Sequence, residues 1–208
     1  MKKFELTDEF ITGAFGNKLF RIKALVDFGT IKAGELGGFV EKEENLSNDD
    51  NAWVSGNACV YGNAWVSGNA WVSGNAWVSG NACVYGNARV SGNARVSGNA
   101  WVYDNARVSV DAQLSGDARV SGDAWVYDNA DHAVVEGFGR YFRATTFFRC
   151  KDKILRVQCG CFYGDLAEFR EIVKKTHGDS KYAKEYLAIA DLMELHFSDD
   201  EGRQEAAE

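Results

Sequence analysis

The chain contains no proline. Proline cannot donate to a β-ladder, so its absence suits a backbone whose N–H groups are needed for strand pairing. Long apolar runs are also missing. No stretch approaches the ~20 residues that span a bilayer, so no membrane-spanning helix is expected. Lys2 and Lys3 imitate the charged start of a secretory leader, but Asp8 and Glu9 fall where its apolar stretch would have to be. Cysteine is sparse and odd in number, at positions 59, 83, 150, 159 and 161. The expectation is therefore reduced thiols and a cytoplasmic location. Positive charge is in deficit, with a net charge of -7. That balance works against bulk attraction to nucleic acid or an anionic membrane, and neither is expected as a partner.

What is abundant is glycine, 22 residues in all, ten of them in a repeat. From Asn51 the chain reads NAWVSG, NACVYG, NAWVSG and onward to DAWVYD at Asp128, thirteen hexapeptides without an insertion. Ala and Val alternate with a variable residue, which is strand periodicity. If Ala52 and Val54 point inward, Trp53 and Ser55 point outward. Each Gly-Asn or Gly-Asp step is a corner, since these residues tolerate turn dihedrals. Asp104 and Asp128 replace glycine acceptably at corners, whereas Val110 is a poor fit. Six-residue sides close most simply as a triangle, so residue i stacks on i+18. Thirteen repeats then make a little over four coils, roughly 20 Å long at ~4.8 Å per stacked strand. The bore holds Ala, Val and Leu114 and leaves no room for a ligand.

The flanks divide the chain further. Residues 1–36, with the alternating Leu19-Phe20-Arg21-Ile22-Lys23-Ala24, are read as a small N-terminal β cap. Residues 37–137 form the solenoid. Within them Gly38-Phe39-Val40 and Asn45-Leu46 keep the phase before two extra residues, and His132-Ala133-Val134-Val135-Glu136-Gly137 reads as a last repeat. Residues 138–198 predict a ββαα module. A hairpin turns at Lys151-Asp152-Lys153, and Asp165 caps a helix with an apolar face of Leu166, Phe169, Ile172 and Val173. Gly178 ends that helix, and a second carries Tyr182, Tyr186, Ile189 and Met193. Residues 199–208 are an acidic tail.

The repeats resemble the hexapeptide-repeat, left-handed β-helix superfamily best known from acyltransferases, over about 90 residues. The left hand is implied by that resemblance alone. The head, from Ala24-Leu25-Val26-Asp27-Phe28 to Gly37-Gly38-Phe39-Val40-Glu41, is similar to uncharacterised hexapeptide proteins often carried by phages and prophages. Cys159-Gly160-Cys161-Phe162 and Thr176-His177-Gly178 resemble a module of the same kind of protein. The acyltransferase resemblance implies trimers and a histidine base acting on a coenzyme A thioester. Yet the repeats lack both a histidine and an interrupting loop, and His132 is the only base candidate, at the phase break. Cys150, Cys159, Cys161 and His177 form a possible zinc set, but Cys-x-Cys lacks the usual two-residue gap, and no metal or cofactor is expected.

The outward residues carry the stronger signal. Stacking by eighteen gives three columns: Trp53, Trp71, Arg89, Arg107, Trp125; then Cys59, Trp77, Arg95, Gln113; then Trp65, Cys83, Trp101, Arg119, with Tyr85 and Tyr103 beside the last. So many outward tryptophans stabilise a ladder or make an interface, and Trp, Tyr and Arg dominate interfaces. The expected binding residues are Trp71, Arg89, Arg95, Trp101, Tyr103, Arg107, Arg119 and Trp125. The reading is a non-catalytic binding or scaffold protein, an accessory or anti-defence factor of a mobile element. It would be a homo-oligomer, a trimer first, holding an anionic group of a protein partner. The alternatives are an acyltransferase and a nucleotide or nucleic-acid binder using Trp and Arg.

Overall fold

The computed structural model describes residues 2–13 and 16–198. The acidic tail 199–208 lies outside them. Two compact units divide at residue 129.

In the first unit the alternation becomes thirteen two-residue strands, β4 (Trp53–Val54) through β16 (Trp125–Val126). Each pairs in parallel with the strand three repeats on, so Trp53 lies opposite Trp71, and Arg89 opposite Arg107. Three flat faces result, stacked in the orders β4-β7-β10-β13-β16, β5-β8-β11-β14 and β6-β9-β12-β15. The interior is Ala and Val, almost all fully buried, with Leu114 1% exposed. Corners turn in the left-handed region. At Gly98 (φ +67) an added Cβ would stand 2.8 Å from the Gly116 nitrogen, so the next coil as well as the dihedral demands glycine there.

The corner asparagines do more than turn the chain. Each Nδ2 donates to the Oδ1 one coil on, as in Asn51→Asn69, Asn57→Asn75 and Asn63→Asn81. All three ladders end on aspartate: Asn93 donates to Asp111, Asn99 to Asp117 and Asn105 to Asp123. An amide both donates and accepts, whereas a carboxylate only accepts, so Asp fits the last position of such a ladder. At the opposite end of one ladder Lys42 Nζ donates to Asn63 Oδ1.

The N-terminal cap is a hairpin of β1 (Phe4–Thr12) and β2 (Lys18–Ala24), followed by β3 (Leu36–Val40). β2 pairs antiparallel with β3, and β3 pairs in parallel with β5. The cap therefore extends one solenoid face into a seven-stranded sheet. Phe39 opposite Cys59 and Leu46 opposite Val66 show the predicted phase with two extra residues. Lys3, 3% exposed, donates to the Ala52 carbonyl at 2.9 Å and reaches those of Asp49 and Asp50 at 3.4 Å. Burial pulls its amine down to about 8, against the opposing pull of the Asp50 and Asp49 carboxylates.

The second unit departs from the expected ββαα plan. It has four antiparallel strands: β17 (His132–Val135), β18 (Thr145–Arg149), β19 (Leu155–Cys159) and β20 (Phe162–Asp165). The stretch His132–Val135 is not a last repeat. It pairs antiparallel with β18, His132 opposite Phe148. Three residues, Asn129 to Asp131, break the repeat before it, and Phe147 and Val157 provide a competing apolar surface. The hairpin at Lys153 (φ +63) forms as expected. Helix α1 (Leu166–His177) opens on the Asp165–Glu168 capping box and closes at Gly178. Helix α2 (Lys181–His196) buries Ala183, Tyr186, Ile189, Ala190 and Met193. Ile172 does not belong to the buried face of α1, since it is 37% exposed while Leu166, Phe169 and Val173 pack. Arg170 ties the helices through Asp191 and Glu194.

Candidate functional site

The outward columns stand in the predicted registers. In the first, Trp53, Trp71, Arg89, Arg107 and Trp125 stack in order. In the second, Phe39, Cys59, Trp77, Arg95 and Gln113 succeed one another. The third runs Trp65, Cys83, Trp101, Arg119.

Trp53 departs from the expectation of six exposed indoles. It points outward but is fully buried, because the cap lies over it with the Phe28 ring 5.4 Å away, edge-on. Cys59 is covered in the same way by Leu19 and Phe39. Trp65 and Trp101 remain exposed, and Trp71, Trp77 and Trp125 are half-buried.

Three arginines lie over tryptophans, one on each face: Arg95 over Trp77 at 5.6 Å, Arg107 over Trp125 at 5.4 Å and Arg119 over Trp101 at 5.1 Å. Each such contact contributes about 0.5–1 kcal/mol at an exposed site. Trp71 instead turns its indole N–H to the Ser55 hydroxyl at 3.1 Å. Tyr85 and Tyr103 stack at 5.1 Å with nearly parallel rings, and Tyr85 meets Trp101 edge-on. Arg89, Arg95, Arg107 and Arg119 are all exposed. Arg21, Arg149, Arg156 and Arg170 each have a carboxylate partner. Among the described residues, Arg89, Arg95 and Arg107 have none within 4.0 Å.

The remaining candidates do not assemble. His132 sits within β17, in the second unit. Among the described residues no three His, Cys, Asp or Glu side chains are placed to hold a metal. Cys150 is buried at the base of the hairpin, the Cys159 thiol accepts from Thr145 Oγ1 at 3.2 Å, and Cys161 is exposed. His177 packs against Tyr182 and Tyr186 instead. Burial raises the Cys59 thiol to about 11 and also raises Cys83, the reverse of what a thiolate nucleophile needs.

Sequence reasoning missed two parts of this surface. One is the set of Asn ladders, whose signal was the eighteen-residue spacing of corner Asn and the shift to Asp from position 111. The other is that two of the outward serines, Ser91 and Ser109, lie in register beside the stacked Arg89 and Arg107.

Fold and repeat together define a β-solenoid repeat protein. The coils match the YdcK beta solenoid repeat family over residues 52–68, 64–80, 82–98, 88–103 and 112–128. No curated protein matches the chain. No helix among the described residues is long and apolar enough to cross a membrane.

Proposed function

We propose that this protein is a non-catalytic binding scaffold of the hexapeptide-repeat type, an accessory factor of a phage or other mobile element. It acts in the cytoplasm as a homo-oligomer and holds an anionic group of a partner macromolecule against its middle coils. One observation carries the reading. Arg89, Arg95 and Arg107 stand exposed with no carboxylate in reach among the described residues, although the chain as a whole is acidic. A ladder built only for stability would pair such charges or leave them out, and like charges opposed on adjacent strands are unfavourable. Arg95 and Arg107 each rest on an indole, and tryptophan beside them supplies an apolar rim.

The test is affinity capture from the native host with wild type and with a variant carrying Arg→Gln at 89, 95, 107 and 119. The variant should fold and capture the partner at least tenfold less well. Unchanged capture would reduce these arginines to solvated ladder residues. Incubation with acetyl-coenzyme A should give no turnover that depends on His132, and turnover abolished by His132→Ala would favour the acyltransferase instead.

A further inference from the structure

The four arginines are not equivalent. Arg89-Val90-Ser91 and Arg107-Val108-Ser109 lie on adjacent strands in register. Elsewhere the pattern is broken: Arg95-Val96-Ser97 faces Gln113-Leu114-Ser115, and Arg119-Val120-Ser121 faces Trp101-Val102-Tyr103. Val90 and Val108 are fully buried, so their neighbours on both sides point outward. Adjacent strands are about 4.8 Å apart and residues i and i+2 about 6.7 Å, so two guanidinium stems and two hydroxyls mark the corners of a small rectangle. Arg107 lies over the Trp125 ring, on the side away from Arg89, so to close on an anion its guanidinium swings back from that ring toward Arg89. Trp71 closes the strand below and Trp125 the strand above.

We infer that this rectangle is a seat for a phosphomonoester dianion. The inference rests on the anion-binding reading above and names the anion. Two stacked positive charges are balanced by one dianion, whereas a carboxylate brings a single charge and two oxygens. Three terminal phosphoryl oxygens accept from two guanidinium forks and two hydroxyls together. The net charge of -7 opposes a long polyanion but leaves a single phosphoryl group to be held locally. The flanking indoles fit a group whose phosphate is carried on a ring or an apolar stem.

The experiment is calorimetric titration of the intact chain with phenyl phosphate, phenyl sulfate and benzoate. A phosphotyrosine peptide and its unphosphorylated form are titrated alongside. Phenyl phosphate should bind at least tenfold more tightly than phenyl sulfate or benzoate. Its affinity should fall as pH drops through the second phosphate pKa, about 6. Joint Arg89→Gln and Arg107→Gln replacement should cut it at least tenfold, Ser91→Ala with Ser109→Ala should cut it severalfold, and Arg95→Gln should leave it within twofold. Tighter binding of the phosphopeptide than of phenyl phosphate would support the site with a protein-borne source. Equal binding would support it with a small phosphorylated molecule as source. Failure of phenyl phosphate to bind, equal binding of phenyl sulfate, or an equal loss in Arg95→Gln overturns the inference. If that happens while the quadruple Arg→Gln variant still loses its partner, the anion-binding reading survives with a different anion. If partner capture is unchanged as well, both fall.

Discussion

At the scale of single residues, the repeat tolerates few deviations, and those it carries are informative. Val110 takes φ +56 at a corner where the coils before it use glycine, and it is 52% exposed. A β-branched residue gains nothing in that conformation, which costs an L-residue about 1–2 kcal/mol. Val110→Gly should therefore raise the unfolding free energy by about 1 kcal/mol, read from urea denaturation. Lys3 offers a second test. Its amine titrates near 8 in the folded chain against 10.5 ordinarily. Between those values the unfolded chain binds more protons, so stability gains from Lys3 as pH rises through that window. The difference in unfolding free energy between wild type and Lys3→Met should shift in favour of wild type from pH 7.5 to pH 10. A difference flat across that range would mean the amine is not desolvated. The sequence marked Val110 as misplaced from its neighbours alone. It held no sign of Lys3's role, whose partners are backbone carbonyls 46 to 49 residues away.

At the scale of elements, the two-residue strands were legible because inward Ala and Val recur without a break, and the structure keeps their register throughout. Trp53 was misjudged for a long-range reason: its exposure is decided by Phe28, which no repeat pattern connects to it. β17 was misread because His132 to Val135 copies the repeat locally while its pairing partner lies beyond residue 144. Periodicity reports which residues alternate and is silent about which strand they meet. The Asn ladders make an element-scale prediction. Asn99 donates to Asp117 at 2.9 Å. Asn99→Asp removes the donor and sets one exposed carboxylate beneath another, so it should cost about 0.2–1 kcal/mol at neutral pH. Asp117→Asn leaves the donor in place and should be close to neutral in the same denaturation experiment.

At the scale of the whole molecule, the chain is two units with separate cores. The solenoid core is Ala and Val along a line, and the second core gathers Phe147, Phe169, Tyr186 and Met193 between sheet and helices. A chain ending at residue 129 should keep the first unit folded, with tryptophan fluorescence and unfolding midpoint close to those of the full chain. Loss of cooperative unfolding in that fragment would show that the units depend on each other. The exposed Trp65 and Trp101 bear on assembly. If a homo-oligomer covers them, light scattering at micromolar concentration should give a mass above one chain, and Trp65→Gln with Trp101→Gln should lower it. The candidate surface was legible in the sequence as far as its columns went, because stacking by eighteen is arithmetic. Which arginines lie on tryptophan was not, because that depends on side-chain lean. The aspartates at 111, 117 and 123 carry one more consequence. A new eighteen-residue coil copied in before them continues three unbroken amide chains, whereas one copied in after them must begin above a group with no hydrogen to give. Lengthening from within thus preserves the donor-to-acceptor direction of every chain, whereas a coil added at the finished end would have to reverse it and donate back onto the carboxylates.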